Sequence, residues 1–267
     1  MPLVMAVSAL AVLVGLSLGL LGGGGSILAV PALVYAAGQT PKHATTTSLV
    51  LVAITAVLGI VPHWRARRVR FAAGTIFGLA GVGGSLLGSH WNKAADPNVL
   101  LLAFSGLMMI AAFAMWRRLR TAPARVPRSL SAAAAPMVSV VRVDPRTGAK
   151  VIVAGTVVGL LTGFFGVGGG FVIVPALVLA LGFTMPEAVG TSLLVITINS
   201  VVALTTRLQA GAIEWGTVIP FTIASLIGVV VGSRLAGTRD SSSLQRWFIG
   251  LLVAVAIYTA VRSGLAL

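Results

Sequence analysis

The feature that most constrains this chain is an internal duplication. The segment from Gly15 to Val50 recurs from Gly159 to Leu194, which is 144 positions later (159 against 15), without a gap and with about half of its residues identical. Each copy carries a glycine cluster, then Pro-Ala-Leu-Val, and then Thr-Ser-Leu. A repeat of this kind indicates a fold built from two copies of one unit.

Apolar runs long enough to cross a membrane fill both copies. Hydrophobic residues make up 57% of the chain and charged residues 9%, whereas a soluble domain has about 25% charged residues. We predict an all-α polytopic membrane protein with two internal repeats, each with a glycine-broken helix pair plus three further membrane helices. The repeats are residues 1–116 and 151–267. They are joined by a basic linker, residues 117–150, where a small β-hairpin is predicted at 138–153.

The net charge of +14 reflects Lys and Arg in the loops, where they orient a membrane protein, so no nucleic-acid partner is expected. Slightly more of these residues fall on the cytoplasmic side if the second repeat is inverted than if it is parallel, so inversion is favoured and the parallel arrangement stays open. We expect a multi-pass protein of the bacterial cytoplasmic (inner) membrane, with the lipid bilayer as a partner. A homo-oligomer is left open. The chain has no cysteine, and no metal site or cofactor is predicted.

The glycine clusters predict an anion site made of backbone. A glycine break that opens a new helix leaves several N–H groups without intrahelical acceptors, and the helix dipole adds partial positive charge there. Secondary transporters build sites of this kind from broken helices at the membrane midplane. The alternative is that these glycines only permit close helix packing. The predicted site glycines and their neighbour are Gly24, Gly25, Ser26, Gly168, Gly169 and Gly170.

Polar residues in the helix after each break are predicted to orient the anion. Ser48 and Thr55 are seven positions apart and share a helix face, as do their repeat equivalents Ser192 and Asn199. An asparagine at membrane depth is costly unless it meets a partner, water or a substrate. The predicted set of site residues also includes Thr47 and Thr191, which directly precede Ser48 and Ser192.

Ionisable residues are few. His43 and Glu187 occupy equivalent positions just after the short helix. Either residue could relay a proton, although capping of the next helix is the favoured interpretation. His63 and His90 stand at span ends and are expected at the interface. No arrangement of acids, or of Ser with His and Asp, suggests catalysis, so the chain is not predicted to be an enzyme.

The duplicated motif resembles the sulfite exporter TauE/SafE family of membrane permeases. The resemblance rests on GLLGGGGSILAVPALVYAAGQTPKHATTTSL and GFFGVGGGFVIVPALVLALGFTMPEAVGTSL, with the halves joined by a basic linker. It implies movement of small sulfur-containing anions, such as sulfite or organosulfonates, across the cytoplasmic membrane.

The sequence therefore predicts a secondary transporter that moves a small anion by alternating access. The sulfur chemistry comes from the resemblance alone. A passive anion channel and a non-transporting membrane accessory subunit are the alternatives.

Overall fold

The computed structural model describes residues 2–35, 38–39, 41–92, 97–121, 145–165, 170–207 and 215–264. Within these ranges all regular structure is helical, and eight segments are long and apolar enough to cross a membrane. The chain is therefore an all-α, multi-pass membrane protein, as predicted. In chain order, the helices are α1 (Pro2–Leu21), α2 (Ser26–Tyr35), α3 (Pro41–Arg65), α4 (Phe71–Asn92), α5 (Pro97–Thr121), α6 (Pro145–Phe165), α7 (Gly170–Leu179), α8 (Met185–Arg207), α9 (Trp215–Thr238) and α10 (Ser241–Gly264).

The predicted hairpin at 138–153 is wrong where the structure describes it. Residues from Pro145 onward form the first turns of α6, because proline is well suited to the first turn of a helix, where its missing N–H has no acceptor to lose. Helix α5 continues to Thr121, so both ends of the basic linker are helical. The rest of the linker lies outside the described residues.

Equivalent positions in the two halves make equivalent contacts. A Cβ at Gly84 in α4 would overlap the carbonyl oxygen of Thr156 in α6. At the positions 144 residues away, a Cβ at Gly228 in α9 would overlap the carbonyl oxygen of Val12 in α1. The pairs α4–α6 and α1–α9 are the most extensive helix contacts of the bundle. The fourth helix of each half therefore packs against the first helix of the other half.

The relative direction of helices α3 and α8 follows from the contacts between them. Gly59 of α3 lies against Leu193 of α8, while His63, one turn further along α3, lies against the earlier residue Gly190. The equivalent helices α3 and α8 therefore run in opposite directions. The inverted orientation of the repeats stays our interpretation of the sequence, and this antiparallel pair agrees with it.

The basic end of the bundle is formed by three structural features. These are the end of α5, the short turn between α9 and α10, and the arginine loop, which we define as residues 66–70. Arg68 of this loop reaches the carbonyl oxygens of Ala236 and Gly237 at the end of α9. At the start of α10, Gln245 donates from Nε2 to the carbonyl oxygen of Met115, 2.9 Å away near the end of α5. Arginines from both halves therefore gather at one end.

The first break and the start of α7 lie inside the bundle. Helix α7 has 10 residues, so it rises only about 15 Å, roughly half of the hydrocarbon thickness. Gly25, just before α2, packs against the backbone of Leu18 in α1, so the chain folds back on itself at this break. At the first break, α2 therefore turns back along α1 inside the bundle.

Candidate functional site

The first break is a tight 3-10 turn that we call the glycine turn, Gly22–Gly25. All four of its residues are buried. Gly22 has a φ of 63°, a left-handed conformation that glycine adopts without steric cost. The turn continues into α2, because the backbone N–H of Ser26 donates to the carbonyl oxygen of Gly23.

The glycine turn meets the second break directly. A Cβ at Gly23 would overlap the carbonyl oxygen of Gly170, the first residue of α7. A Cβ at Gly170 would in turn lie 2.7 Å from the carbonyl oxygen of Gly23 and overlap the hydroxyl of Ser26. The two breaks, 147 residues apart in sequence (170 against 23), are thus joined backbone to backbone, a contact that only glycine allows.

Ser192 of α8 connects the two halves at this junction. Its Oγ accepts a hydrogen bond of 3.2 Å from the backbone N–H of Gly23 and donates one of 2.8 Å to the carbonyl oxygen of Val189. Ser26 makes a matching bond from the other side, because its Oγ donates to the carbonyl oxygen of Gly23 at 2.7 Å. Two hydroxyl groups therefore flank the glycine junction.

The start of α7 supplies the chemistry for an anion. Gly170 and Phe171 are buried, and the first N–H groups of a helix have no intrahelical acceptor. The helix dipole adds partial positive charge at the same point. A small oxyanion at this junction would accept hydrogen bonds from these amides without needing a charged side chain.

The structure brings some of the predicted site residues together and separates others. Ser26, Gly170 and Ser192 meet at the junction, as described above. Gly24 instead faces Phe248 of α10, and Gly25 packs on α1, so these two glycines have packing contacts. Gly168, Gly169 and the side chain of His43 lie outside what the structure describes.

The predicted polar residues further along the helices have other surroundings. Thr47 and Ser48 are buried near the start of α3. Thr55 donates to the carbonyl oxygen of Leu51 in its own helix at 2.6 Å, so its hydroxyl is already satisfied. Thr191 accepts from the backbone N–H of Arg70 at 3.1 Å, which directs its hydroxyl to the arginine loop.

Asn199 lies about 10 Å along α8 from Ser192. Its Oδ1 is buried and has no hydrogen-bond partner among the described residues. The amide group is 3.9 Å from a Cβ placed on Gly81 of α4. An unpaired amide oxygen inside a bundle is costly, so Asn199 is suited to bind water or a passing solute.

Two residues at the junction were not among the predicted site residues. Gly22 aligns with Gly166 and could have been found from the repeat, whereas Gly23 aligns with Val167 and gave no such signal. His63 stands at the end of a span, in the last turn of α3, and its predicted position at the membrane interface stays a prediction. Within the protein its side chain is buried, with 1% exposed. The arginine loop folds over the end of α3 and covers it.

Glu187 caps the start of α8. Its Oε2 accepts from the backbone N–H and from the hydroxyl of Thr184, at 3.1 and 2.9 Å. Its Oε1 accepts from the guanidinium of Arg70 at 2.6 Å. A Thr followed three residues later by Glu is a helix-start motif, so these contacts agree with the favoured capping interpretation of Glu187, and a role in proton coupling stays untested.

Replacing Glu187 with Gln should therefore lower the stability of the purified protein slightly and leave the pH dependence of transport unchanged. A partly exposed ion pair contributes about 0–1 kcal/mol, and glutamine can still accept from Thr184. Thermal unfolding in detergent and flux between pH 5.5 and 8 measure the two effects. Asp240→Asn, at an exposed acid before α10, is the control. A flattened pH profile in the Glu187 variant alone would assign this residue to proton coupling instead.

Among the described residues, no group of three or more His, Cys, Asp or Glu is placed to hold a metal ion.

Comparison with known proteins gives the family. The sequence profile of the family described as "Sulfite exporter TauE/SafE" matches residues 7–259. The chain belongs to the TauE/SafE family. A "Probable membrane transporter protein" of Xylella fastidiosa strain 9a5c is 37% identical over 259 residues, covering 96% of this chain and 94% of the relative. The "Probable membrane transporter protein YunE" of Bacillus subtilis strain 168 is 24% identical over 255 residues, covering 89% and 88%.

No solved structure matches the chain. The TauE/SafE match and the names of the relatives point to a membrane transporter rather than an enzyme.

Proposed function

We propose that this TauE/SafE protein is a secondary transporter that moves a small sulfur-containing anion, sulfite or an organosulfonate, across the bacterial cytoplasmic membrane. The observation that carries the proposal is the junction of the two breaks, where Gly23 meets Gly170 beside the hydroxyls of Ser26 and Ser192. The family name supports the choice of a sulfur oxyanion.

Binding would use the start of α7. The amides of its first turn, which have no acceptor within the helix, would hold the anionic oxygens. Ser26 and Ser192 would orient the head group by exchanging their present hydrogen bonds for bonds to the substrate. Ser48, at the position equivalent to Ser192, would serve the same purpose on the side of the second break. Asn199 would accept or donate to the solute further along α8.

Alternating access is favoured over an open channel. The backbone contact between Gly23 and Gly170 leaves no space for water between these two residues, whereas a permanently open pore at this point would keep water between them. Broken helices from the two halves, gathered around one site, are the arrangement in which one repeat rocks against the other. The arginines of the basic end would face the cytoplasm by the positive-inside rule.

Flux from proteoliposomes tests this function. Vesicles containing the purified full chain are loaded with sulfite, methanesulfonate or chloride, and release is followed with and without anion outside. A carrier for sulfur oxyanions gives saturable release of sulfite or methanesulfonate that external substrate stimulates, and little chloride release. Release that does not saturate would indicate a channel, and no release of any anion would indicate an accessory subunit; either result contradicts the proposal.

A further inference from the structure

A buried histidine lies next to the first broken helix and outside the anion junction. His63 is in the last turn of α3, and its side chain is 1% exposed. Its Nε2 is 3.5 Å from the carbonyl oxygen of Gly19 in α1, four residues before Gly23. Its Nδ1 is buried and has no hydrogen-bond partner among the described residues. The imidazole therefore has an unused site for a proton.

The arginine loop of the first half covers His63 and is attached to the second half. The backbone N–H of Arg68 donates to the carbonyl oxygen of His63 at 2.9 Å. The guanidinium of Arg68 reaches the end of α9, while Arg70 bonds to Thr191 and Glu187 at the start of α8. These contacts join the two halves at the basic end, so opening that end to the cytoplasm requires them to separate.

The charged groups around His63 disfavour a second positive charge while the end is closed. Helix α1 contributes none, since the sequence Pro2–Leu21 contains no charged residue. Glu187 of α8 is the nearby acid, and it is already paired with Arg70. Among the side chains that the structure describes on α3, the loop, α8 and α9, the other charged groups are basic: Arg65 of α3, Arg67, Arg68 and Arg70 of the loop, and Arg234 of α9. An imidazolium at this position would have no free anionic partner among the described residues.

Opening the basic end would instead favour protonation of His63. Water reaching the imidazole would solvate an added proton, and an imidazole in water takes up a proton between about pH 5 and 8. We propose that His63 is a proton-binding site of the transport cycle, and that a proton bound there stabilises the state open to the cytoplasm. The ligand is the proton itself, taken from cytoplasmic water onto Nδ1 and returned to water before the end closes.

The size of the effect follows from linkage. If only the open state binds the proton, with an affinity near that of a free imidazole, the ratio of open to closed molecules rises about tenfold between pH 8 and pH 5.5. The inference rests on the proposed alternating access. Its test measures opening without any substrate, so a failed flux assay and a failed proton site give different results.

Cysteine labelling of the full chain in detergent tests the site. The chain has no cysteine of its own, so a single introduced thiol reports on one position. Ala188 of α8 and Ala236 of α9 are 0% and 1% exposed and stand on the two helices that the arginine loop holds. Ala188→Cys is the reporter and Ala236→Cys the second reporter. Thr238→Cys, at an exposed position, corrects for the pH dependence of the thiol reaction itself.

The expected result is that labelling of Ala188→Cys by a methanethiosulfonate reagent, relative to Thr238→Cys, rises about tenfold from pH 8 to pH 5.5. The rise should disappear in a His63→Gln background and persist with His90→Gln, which replaces an exposed histidine. His63→Asn serves as a second variant should glutamine impair folding. A flat ratio for both reporters with His63 intact, or the same rise in a folded His63 variant, would overturn the proposal.

Discussion

Replacing Gly23 with alanine should reduce anion flux to the background of empty vesicles while the protein still inserts into the membrane. The added Cβ would overlap the carbonyl oxygen of Gly170. Neither atom can rotate away, because the position of each is set by buried backbone. Forcing even one methyl group into a packed interior costs about 1–3 kcal/mol. Here the two breaks would have to separate, and the hydrogen bond from Gly23 to Ser192 would be lost with the contact.

The matched control for this change is Gly83→Ala in α4. A Cβ at Gly83 meets no atom within 4 Å, so flux should be unchanged. Alanine is also favoured over glycine inside a helix by about 1 kcal/mol, so the control should be slightly more stable. Flux from proteoliposomes and thermal unfolding in detergent measure both variants. Normal flux in the Gly23 variant would show that the glycine junction is not required for transport.

Replacing Ser192 with alanine should slow transport about tenfold. The hydroxyl is the acceptor for the buried N–H of Gly23, and a buried donor without an acceptor costs about 1–3 kcal/mol. A loss near 1.4 kcal/mol corresponds to a factor of ten. If the same hydroxyl also orients the substrate, the concentration for half-maximal flux should rise along with the fall in maximal rate.

Thr197→Ala is the comparison for Ser192→Ala because it lies in the same helix. The hydroxyl of Thr197 donates to the carbonyl oxygen of Leu193 in its own helix, at 2.9 Å, so its removal breaks no contact between the halves. Saturation curves for sulfite release should therefore match those of the unmodified protein. Equal effects of the two substitutions would assign Ser192 a role in helix packing only.

The sequence was sufficient for the membrane helices and for the break before α2. Apolar runs predicted the membrane spans, and the first glycine cluster predicted the break before α2. The duplication identified equivalent positions in the two halves. These signals are local or periodic, so they are readable without knowing which helices touch. The interruption between α6 and α7 was likewise expected, although residues 166–169 lie outside the described part of the chain.

The residues that form the junction could not be predicted as well, because their roles depend on contacts between the halves. Gly23 has no glycine at its equivalent position, and its role appears only once Gly170 is placed against it. Thr55 shares a helix face with Ser48, yet its hydroxyl bonds within its own helix. His63 stands next to a run of arginines in sequence, which indicates a span end, but its burial depends on the arginine loop folding back over it.

Anion binding at the glycine junction is the central claim about this protein. Calorimetric titration of sulfite into the purified protein in detergent tests this directly, with Gly170→Ala as the test variant and Gly106→Ala as the control, since a Cβ at Gly106 meets no atom within 4 Å. We predict saturable binding to one site in the unmodified protein and in the control, and no measurable binding once a methyl group is placed at Gly170. Undiminished sulfite binding by a correctly folded Gly170→Ala variant would contradict it.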